Sequence, residues 1–170
     1  MPCPRKAKLL LVGPERAGKT TLLHQFCTRQ YVSAAPMTLG VDLVVMGAED
    51  ERSHGMSLQL WDTAGHERYA SVSRRFYKDA AAALVVFDLT DLISFQAVDM
   101  WLSDLRRNVP EASLVLVGNK ADQPRQVSQQ NACEKAALWN IPYVETSAMS
   151  WSSTVVAFDA ALTAVTRKTR

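Results

Sequence analysis

A glycine-rich segment near the amino terminus, from Gly13 to Thr20, has the residue types and spacing of a phosphate-binding loop and follows the apolar run 9–12. Phosphate groups need several N–H donors at short range, and a glycine-rich turn that opens a helix supplies them. The lysine adds a charge for the β- and γ-phosphates, and the threonine hydroxyl is a ligand for Mg²⁺. The alternative, a chance match in an ordinary strand–loop–helix, is disfavoured by the helical pattern that follows. The predicted nucleotide contacts here are Glu15, Arg16, Ala17, Gly18, Lys19, Thr20 and Thr21.

A second polar motif predicts that the base of this nucleotide is guanine. Asn119, Lys120 and Asp122 follow the apolar run 114–118, so we expect them just beyond the end of a buried strand. There the carboxylate of Asp122 can accept hydrogen bonds from N1–H and the N2 amino group of guanine, and adenine offers no such pair of donors. A polar site of this kind rejects the wrong base by roughly 10⁴-fold, because its buried groups are left unpaired.

A third motif predicts a sensor for the terminal phosphate. Asp62 directly follows the stretch 57–61, in which polar and apolar residues alternate as in a strand, and a carboxylate at a strand end can hold a Mg²⁺-bound water. Gly65 can supply a backbone N–H for the γ-phosphate. Thr38, upstream of both, completes the predicted sensor. The candidate metal residues are therefore Thr20, Thr38 and Asp62.

In combination, these motifs resemble those of the Ras superfamily of small GTPases, and most of all its Rab branch. Segment 38–43 is similar to switch I of Rab proteins, and segment 57–72 is similar to switch II. Segment 76–80 is similar to the aromatic-rich stretch, 85–90 to the strand after it, and 145–148 to the last base-contacting loop. The resemblance covers nearly the whole chain and implies a single small GTPase domain over residues 1–170. It also implies the Ras-like P-loop GTPase fold, an α/β fold in which about five helices flank a six-stranded, mostly parallel sheet.

The hydrophobic pattern along the chain predicts alternating strands and helices. The predicted strands lie near 7–12, 41–46, 57–62, 82–88, 113–118 and 142–145, and the predicted helices near 19–29, 67–78, 92–107, 127–138 and 151–166. The run 80–87 is continuously apolar, as expected of a central parallel strand that is buried on both faces. The polar stretch 47–55 between the second and third strands predicts an antiparallel edge hairpin with a merely solvated loop.

The resemblance implies roles for several further residues. Tyr31 stands where the family places an aromatic ring over the guanine; the alternative is a helix-end aromatic that packs on the core. Thr38 is expected to bind Mg²⁺ only when GTP is bound. Ser147 and Ala148 are expected to offer backbone N–H groups to O6 of guanine, and Met149 replaces the lysine that usually follows them.

Protein partners are also implied. Leu43, Trp61 and Phe76 occupy the positions of the hydrophobic triad through which Rab effectors recognise the GTP form; the alternative is that they belong to the core. The usual aromatic is missing at Leu43, so the identity of the effector does not carry over from any relative. An exchange factor and a GTPase-activating protein are the other expected partners.

Two departures from the family pattern concern hydrolysis. His66 replaces the glutamine that orients the attacking water, and Glu15 and Arg16 replace small residues of the phosphate-binding loop. The candidate catalytic residues are His66, Gly65 and Lys19. Because phosphoryl transfer depends on positioning and on charge stabilisation, we expect slow intrinsic hydrolysis, assisted by a partner. The alternative is a non-hydrolysing, GTP-bound interaction module, a pseudo-GTPase; a P-loop kinase or ATPase explains neither the guanine motif nor the switch.

The composition and the terminal residues limit the cellular location and the partners that we expect for this chain. The chain has 19 Lys and Arg against 17 Asp and Glu and no long basic tract, which argues against nucleic-acid binding. Three cysteines without metal spacing indicate a reduced, cytosolic protein. No apolar run reaches the ~18 residues of a membrane span, and residues 166–170 lack the prenylated cysteines usual in Rab proteins. We expect a cytoplasmic switch in vesicle or intracellular membrane trafficking, with peripheral attachment to intracellular membranes left open.

Overall fold

The computed structural model describes residues 4–33, 38, 40–65 and 75–168. The strands are β1 (Lys6–Val12), β2 (Val41–Met46), β3 (Ser57–Thr63), β4 (Ala82–Asp88), β5 (Ser113–Asn119) and β6 (Tyr143–Glu145). The α-helices within these residues are α1 (Lys19–Thr28), α2 (Leu92–Asn108), α3 (Gln129–Leu138) and α4 (Trp151–Arg167). A short 3₁₀ helix, Glu51–Ser53, lies between β2 and β3.

The strands form one sheet in the order β2-β3-β1-β4-β5-β6. Every neighbouring pair is parallel except β2 and β3, which confirms the mostly parallel sheet and the edge hairpin. Helices α1 and α4 pack on one face, and α2 and α3 pack on the other. Strands β4 and β5 are buried along their whole length because both faces are covered. The carboxyl ends of β1, β3, β4 and β5 meet at one edge of the sheet, so the loops that carry the predicted motifs lie together.

Capping side chains determine where three helices begin. Asp91, Ser128 and Ser150 precede α2, α3 and α4, and the side chain of each accepts a hydrogen bond from a backbone N–H in the first turn. The cap at Ser128 places the start of α3 at Gln129 instead of the predicted position 127. On the face of the sheet that α1 and α4 cover, Phe26 of α1 stacks on Phe158 of α4 with ring centroids 3.9 Å apart. This contact fixes the helix that carries the phosphate-binding lysine.

The predicted helix 67–78 lies mostly outside the described residues, and only its last four positions can be compared with the structure. Most of it falls on residues 66–74, which lie outside the described part of the chain, and residues 75–79 form consecutive turns. Asp79 has φ 62°, a left-handed conformation that ends any helical path, and Ala80 donates its N–H to the carbonyl of Tyr77. The described residues therefore contain four α-helices, against the five expected.

Candidate functional site

The loop between β1 and α1 approaches its neighbours so closely that two positions require glycine. Gly13 has φ 137°, and a Cβ there would lie 2.0 Å from the carbonyl oxygen of Val86 in β4. Gly18 has φ 88°, and a Cβ there would lie 2.4 Å from Nδ2 of Asn119. No side chain fits at these distances. The loop therefore turns sharply against β4 and the end of β5, and its backbone faces the carboxyl edge of the sheet.

Lys19 is buried at the first position of α1 and turns back into the loop. Its Nζ donates hydrogen bonds to the carbonyls of Gly13 at 2.9 Å and Pro14 at 2.8 Å. Burial lowers the pKa of Lys19 to about 8, against the opposing effect of the negative charges of Asp62 and Glu15. The ammonium group is thus held beneath the loop at a fixed position.

Gly65 lies directly against this loop. A Cβ at Gly65 would fall 2.4 Å from the backbone N of Glu15 and 2.5 Å from Nζ of Lys19. The structure thus brings together two of the three predicted catalytic residues, Gly65 and Lys19. The third, His66, lies outside the described residues.

The predicted metal residues converge on one carboxylate oxygen. Thr20 donates its hydroxyl to Oδ2 of Asp62 at 2.5 Å, Thr38 donates to the same oxygen at 3.1 Å, and the two hydroxyl oxygens are 2.8 Å apart. The other oxygen, Oδ1 of Asp62, is buried and accepts no hydrogen bond from any residue that the structure describes. Burial raises the pKa of Asp62, and the hydroxyl hydrogen bonds and Lys19 counteract that rise.

This set of donors fits Mg²⁺. The ion prefers oxygen ligands and is commonly held by one or two carboxylates together with substrate phosphates. Two hydroxyls and a carboxylate with an unsatisfied buried oxygen meet that description. Within the described residues, no group of three or more His, Cys, Asp or Glu side chains is placed to hold a metal, so phosphate oxygens and water would have to supply the remaining ligands.

The guanine motif is tied to the phosphate-binding loop by a buried amide. Asn119 donates from Nδ2 to the carbonyl of Ala17 at 2.9 Å and accepts at Oδ1 from the hydroxyl of Thr146 at 3.0 Å. Lys120 has φ 64° and pairs with Oδ2 of Asp88 at 2.5 Å. These contacts join the ends of β4, β5 and β6 to the loop after β1.

Asp122 lies in an exposed turn beside the last predicted loop. Its Oδ1 accepts the hydroxyl of Ser147 at 2.6 Å, which holds the carboxylate in one orientation. The backbone N–H of Ser147 donates to Oγ of Ser153 at 3.1 Å, so the expected amide contact to O6 of guanine rests on Ala148. Met149 is 61% exposed beside this loop.

The two unusual residues of the phosphate-binding loop pair with each other. Nε of Arg16 lies 3.6 Å from Oε1 of Glu15, and the arginine side chain is largely exposed. Arg16 has φ 63°, a conformation that a glycine adopts without strain. The guanidinium partly neutralises the Glu15 carboxylate within the loop.

A profile of the Ras family matches residues 8–167. The chain belongs to the Ras family. Ras-related protein Rab-27B of Homo sapiens is 40% identical over 154 residues, which cover 83% of this chain and 71% of that protein. Ras-related protein RABD2c of Arabidopsis thaliana is 38% identical over 166 residues, 96% of this chain and 81% of the relative. Ras-related protein SEC4 of Candida albicans is 37% identical over 146 residues, 84% and 69% of the two chains.

These relatives identify the chain as a Rab-like small GTPase, an enzyme that binds guanine nucleotides. The family membership gives no support to the pseudo-GTPase alternative. In the part of the chain that the structure describes, no helix has the length and apolar character of a membrane span.

The predicted triad of this Rab-like GTPase lies on an open face of the sheet. Leu43 of β2 is paired in register with Trp61 of β3, and the rings of Trp61 and Phe76 are 5.5 Å apart. Leu43 is 47% exposed, and the two aromatic rings are partly exposed. Leu43 is therefore accessible, whereas Trp61 is partly buried and also packs against the core under this face.

Tyr31 and Thr21 are the remaining predicted nucleotide contacts that the structure describes. Tyr31 lies beyond the end of α1 and is 46% exposed, so it does not pack on the core as its alternative interpretation required. Thr21 is partly buried in the first turn of α1.

Sequence reasoning missed Thr146 and Asp88, which hold Asn119 and Lys120 in place. Each lies inside a segment that is similar to the Rab sequence pattern, but neither residue was among the predicted nucleotide or metal contacts. The pairing of β5 with β4 on one side and with β6 on the other brings Asp88 and Thr146 to the guanine motif.

Proposed function

We propose that this Rab-like GTPase is a Mg²⁺-dependent guanine-nucleotide switch that presents different surfaces with GTP and with GDP. The observation that carries the proposal is the convergence of Thr20, Thr38 and Asp62. These residues come from the phosphate-binding loop, switch I and the start of switch II, and all three meet at one carboxylate oxygen. A ligand that reorganises this cluster acts on both switch segments at once. Membership of the Rab branch favours a role in vesicle or intracellular membrane trafficking.

The roles proposed for the residues follow from their chemistry. Lys19 and the backbone of the loop 13–18 bind the phosphates, and Thr20 and Thr38 are the direct metal ligands, with Asp62 acting through water. Bound Mg²⁺ supplies charge neutralisation at the phosphate oxygens. Asp122 reads the guanine edge, held by Ser147.

We further propose that the chain is one small GTPase domain over residues 1–170 and that its partners are effectors, an exchange factor and a GTPase-activating protein. Leu43, Trp61 and Phe76 are the proposed effector contacts, since they are the apolar side chains that the sheet leaves accessible next to the switch segments. A cytoplasmic location with peripheral attachment to intracellular membranes is the corresponding proposal.

Hydrolysis by the isolated protein is proposed to be slow. His66 replaces the residue that positions water, and Glu15 places a carboxylate in the loop that faces the γ-phosphate, partly offset by Arg16. Intrinsic rates in related switches are about 10⁻⁴ to 10⁻² s⁻¹, and we expect a rate at or below the lower end.

The experiment begins with the nucleotide that co-purifies with the protein, which we expect to be GDP or GTP. Single-turnover hydrolysis of [γ-³²P]GTP is then compared between the wild type, His66→Gln and the double variant His66→Gln with Glu15→Gly. We expect the double variant to be faster than the wild type, because His66→Gln restores a side chain that orients water and Glu15→Gly removes a negative charge from the phosphate-binding loop. Equal rates would show that His66 orients water competently, and recovery of adenine nucleotide alone would contradict the switch itself.

A further inference from the structure

Three lysines surround a cleft at the end of the sheet away from the nucleotide motifs. Lys6 and Lys8 of β1 and Lys78 of the turn before β4 line a volume of about 290 Å³, together with Ala7, Gln59 and Asp79. Lys6 and Lys8 lie near the amino end of β1, whereas the phosphate-binding loop follows its carboxyl end. The cleft therefore has no part in nucleotide binding. We call Lys6, Lys8 and Lys78 the lysine cluster.

The lysine cluster adjoins the surface formed by Leu43, Trp61 and Phe76, which we call the proposed effector face. Lys8 is paired in register with Gln59, and Leu10, two residues on, is paired with Trp61, so the lysine and the tryptophan share one face of the sheet. Nζ of Lys8 lies 4.5 Å from the centre of the Trp61 ring and donates to the carbonyl of Lys78 at 2.9 Å. The central cation of the cluster is thus seated against the aromatic ring of the triad.

The apolar part of this face extends farther than the triad. Val45 of β2 is 62% exposed and is paired in register with Gln59, which lines the cleft. An exposed valine and leucine, two aromatic rings and three ammonium groups therefore form a single surface. Apolar residues that stay accessible on a small domain commonly mark a binding site.

The charges on this surface are unbalanced. Asp79 is the one carboxylate among the residues that line the cleft, against three ammonium groups. Burial lowers the pKa of Lys8, so its charge is already partly removed from water and is paired with a carbonyl and a ring. A carboxylate brought by a partner would improve that environment.

We infer that this face binds a protein segment in which acidic residues flank an apolar anchor, with the anchor on Leu43, Val45 and Trp61 and the carboxylates on the lysine cluster. The inference rests on the proposed function, because it specifies the partner chemistry of the proposed effector face. An anionic membrane suits this face less well. Asp79 in the cleft would repel anionic headgroups, and the partly buried aromatic rings lie on a sheet face and do not protrude as an insertion into lipid would require.

The test uses a random peptide library displayed on phage and selected on the full chain loaded with GTPγS. We expect the selected peptides to be enriched in Asp and Glu beside aromatic or aliphatic residues. A synthetic copy of the most frequent peptide should bind the double variant Lys6→Glu, Lys78→Glu at least ~10-fold more weakly, with an affinity that falls as salt rises. The matched control, Arg107→Glu with Lys168→Glu, changes the net charge equally on other surfaces and should leave binding unchanged. Lys6→Gln with Lys78→Gln serves as the second test pair in case the reversed charges impair folding.

The outcomes separate this inference from the proposed function. Peptides that require GTPγS and Leu43 but bind the lysine variants normally overturn the inference and leave the switch intact. Acidic peptides that depend on the lysine cluster but bind the GDP and GTPγS forms equally support the inference and contradict the switch at this face. Sedimentation of the wild type with phosphatidylserine vesicles in 0.15 M salt, lost in the lysine variants, would instead assign the cluster to a membrane and overturn the inference.

Discussion

At the scale of single residues, Asp62 is the point where three parts of the chain meet. It accepts from Thr20 and Thr38 through one oxygen, and the other oxygen is buried without a hydrogen bond from the described residues. A buried acceptor without a partner typically costs about 1–3 kcal/mol, so the site is arranged for an additional electropositive group. This is the physical basis for placing Mg²⁺ here.

Thr20→Asn should shift nucleotide preference toward GDP. The change removes a direct metal ligand, and that ligand matters most when the γ-phosphate is present. Lys19→Ala should weaken GDP and GTP binding together, because its charge serves both nucleotides. The measurement is titration with fluorescent GDP and GTP analogues at several Mg²⁺ concentrations, with Thr28→Asn at the exposed end of the same helix as the control. Equal loss of both nucleotides in Thr20→Asn would count against the metal role.

Asp122→Asn should weaken GDP and GTP binding strongly and permit binding of xanthine nucleotides. The amide donates where the carboxylate accepted, so guanine loses its match and xanthine, which carries an oxygen in place of the amino group, gains one. Equilibrium competition with XDP measures the change, and Asp159→Asn on α4 is the control for loss of a carboxylate. Unchanged guanine affinity in Asp122→Asn would mean that another residue reads the base.

Motif spacing points to the proposed nucleotide contacts but not to the residues that hold those contacts in place. Lys19, Thr20 and Asn119 were predicted because their types and order are characteristic. Thr146 supports Asn119 from 27 positions away in sequence, and that contact depends on the parallel pairing of β5 with β6. Residue types that are common in turns give no signal of such a contact.

At the scale of elements, helix α1 is fixed at both ends. Its first residue, Lys19, is tied into the phosphate-binding loop, and its last turn is held by Arg52 from the 3₁₀ helix. The Arg52 guanidinium donates to the carbonyls of Phe26 and Cys27 and also pairs with Asp50 through two nitrogens. The loop 47–55 was expected to be merely solvated. That expectation was wrong for Arg52, because a contact across 25 residues leaves no local pattern.

Arg52→Ala should destabilise the protein by about 1–3 kcal/mol, because it leaves the carbonyls at the end of α1 without their charged donor and leaves Asp50 unpaired. Urea unfolding followed by circular dichroism measures the change in the free energy of unfolding. Arg107→Ala on the exposed face of α2 is the matched control and should change it by less than ~0.5 kcal/mol. A loss as small for Arg52→Ala as for the control would show that the guanidinium does not hold the helix.

The pair of Asp50 and Arg52 should also make stability depend on pH. Hydrogen bonds from Arg52 hold the pKa of Asp50 at about 2, below the value of ~3.9 in an unfolded chain. The stabilisation is therefore present above pH ~4 and is lost as the pH falls toward 2. For a partly exposed pair it amounts to about 1 kcal/mol after screening by water. The difference in unfolding free energy between the wild type and Asp50→Asn should shrink from pH 5 to pH 2, and a constant difference would contradict the assignment.

Element prediction succeeded where the hydrophobic pattern was long and failed where local geometry overrode it. The continuous apolar run before Asp88 identified β4, and the capped helices α2 and α4 begin within a residue of their predicted positions. Of the helix predicted over 67–78, the structure describes residues 75–78, and these form turns instead of the last turn of a helix. Hydrophobic periodicity locates the end of a helix only to within a few residues.

At the scale of the whole molecule, the order of strands explains why distant motifs form one site. The phosphate-binding loop, the switch carboxylate and the guanine motif follow β1, β3 and β5, which are parallel strands of one sheet. We propose that a nucleotide at that edge contacts all three segments, so that the presence or absence of its γ-phosphate changes the positions of β2 and β3 at the side of the molecule. The lysine cluster lies near the amino end of β1 on the sheet face that carries Trp61, where we infer that a partner binds.

The most direct test of the account is a competition experiment at equilibrium with a fluorescent GDP analogue bound to the full chain. We predict that GDP and GTP displace it at stoichiometric concentrations in the presence of Mg²⁺, that ATP fails to displace it even at ~10⁴-fold higher concentration, and that chelation of Mg²⁺ by EDTA accelerates its release. Displacement by ATP at concentrations similar to those of GTP, or binding that is indifferent to Mg²⁺, would contradict the proposed guanine-nucleotide switch.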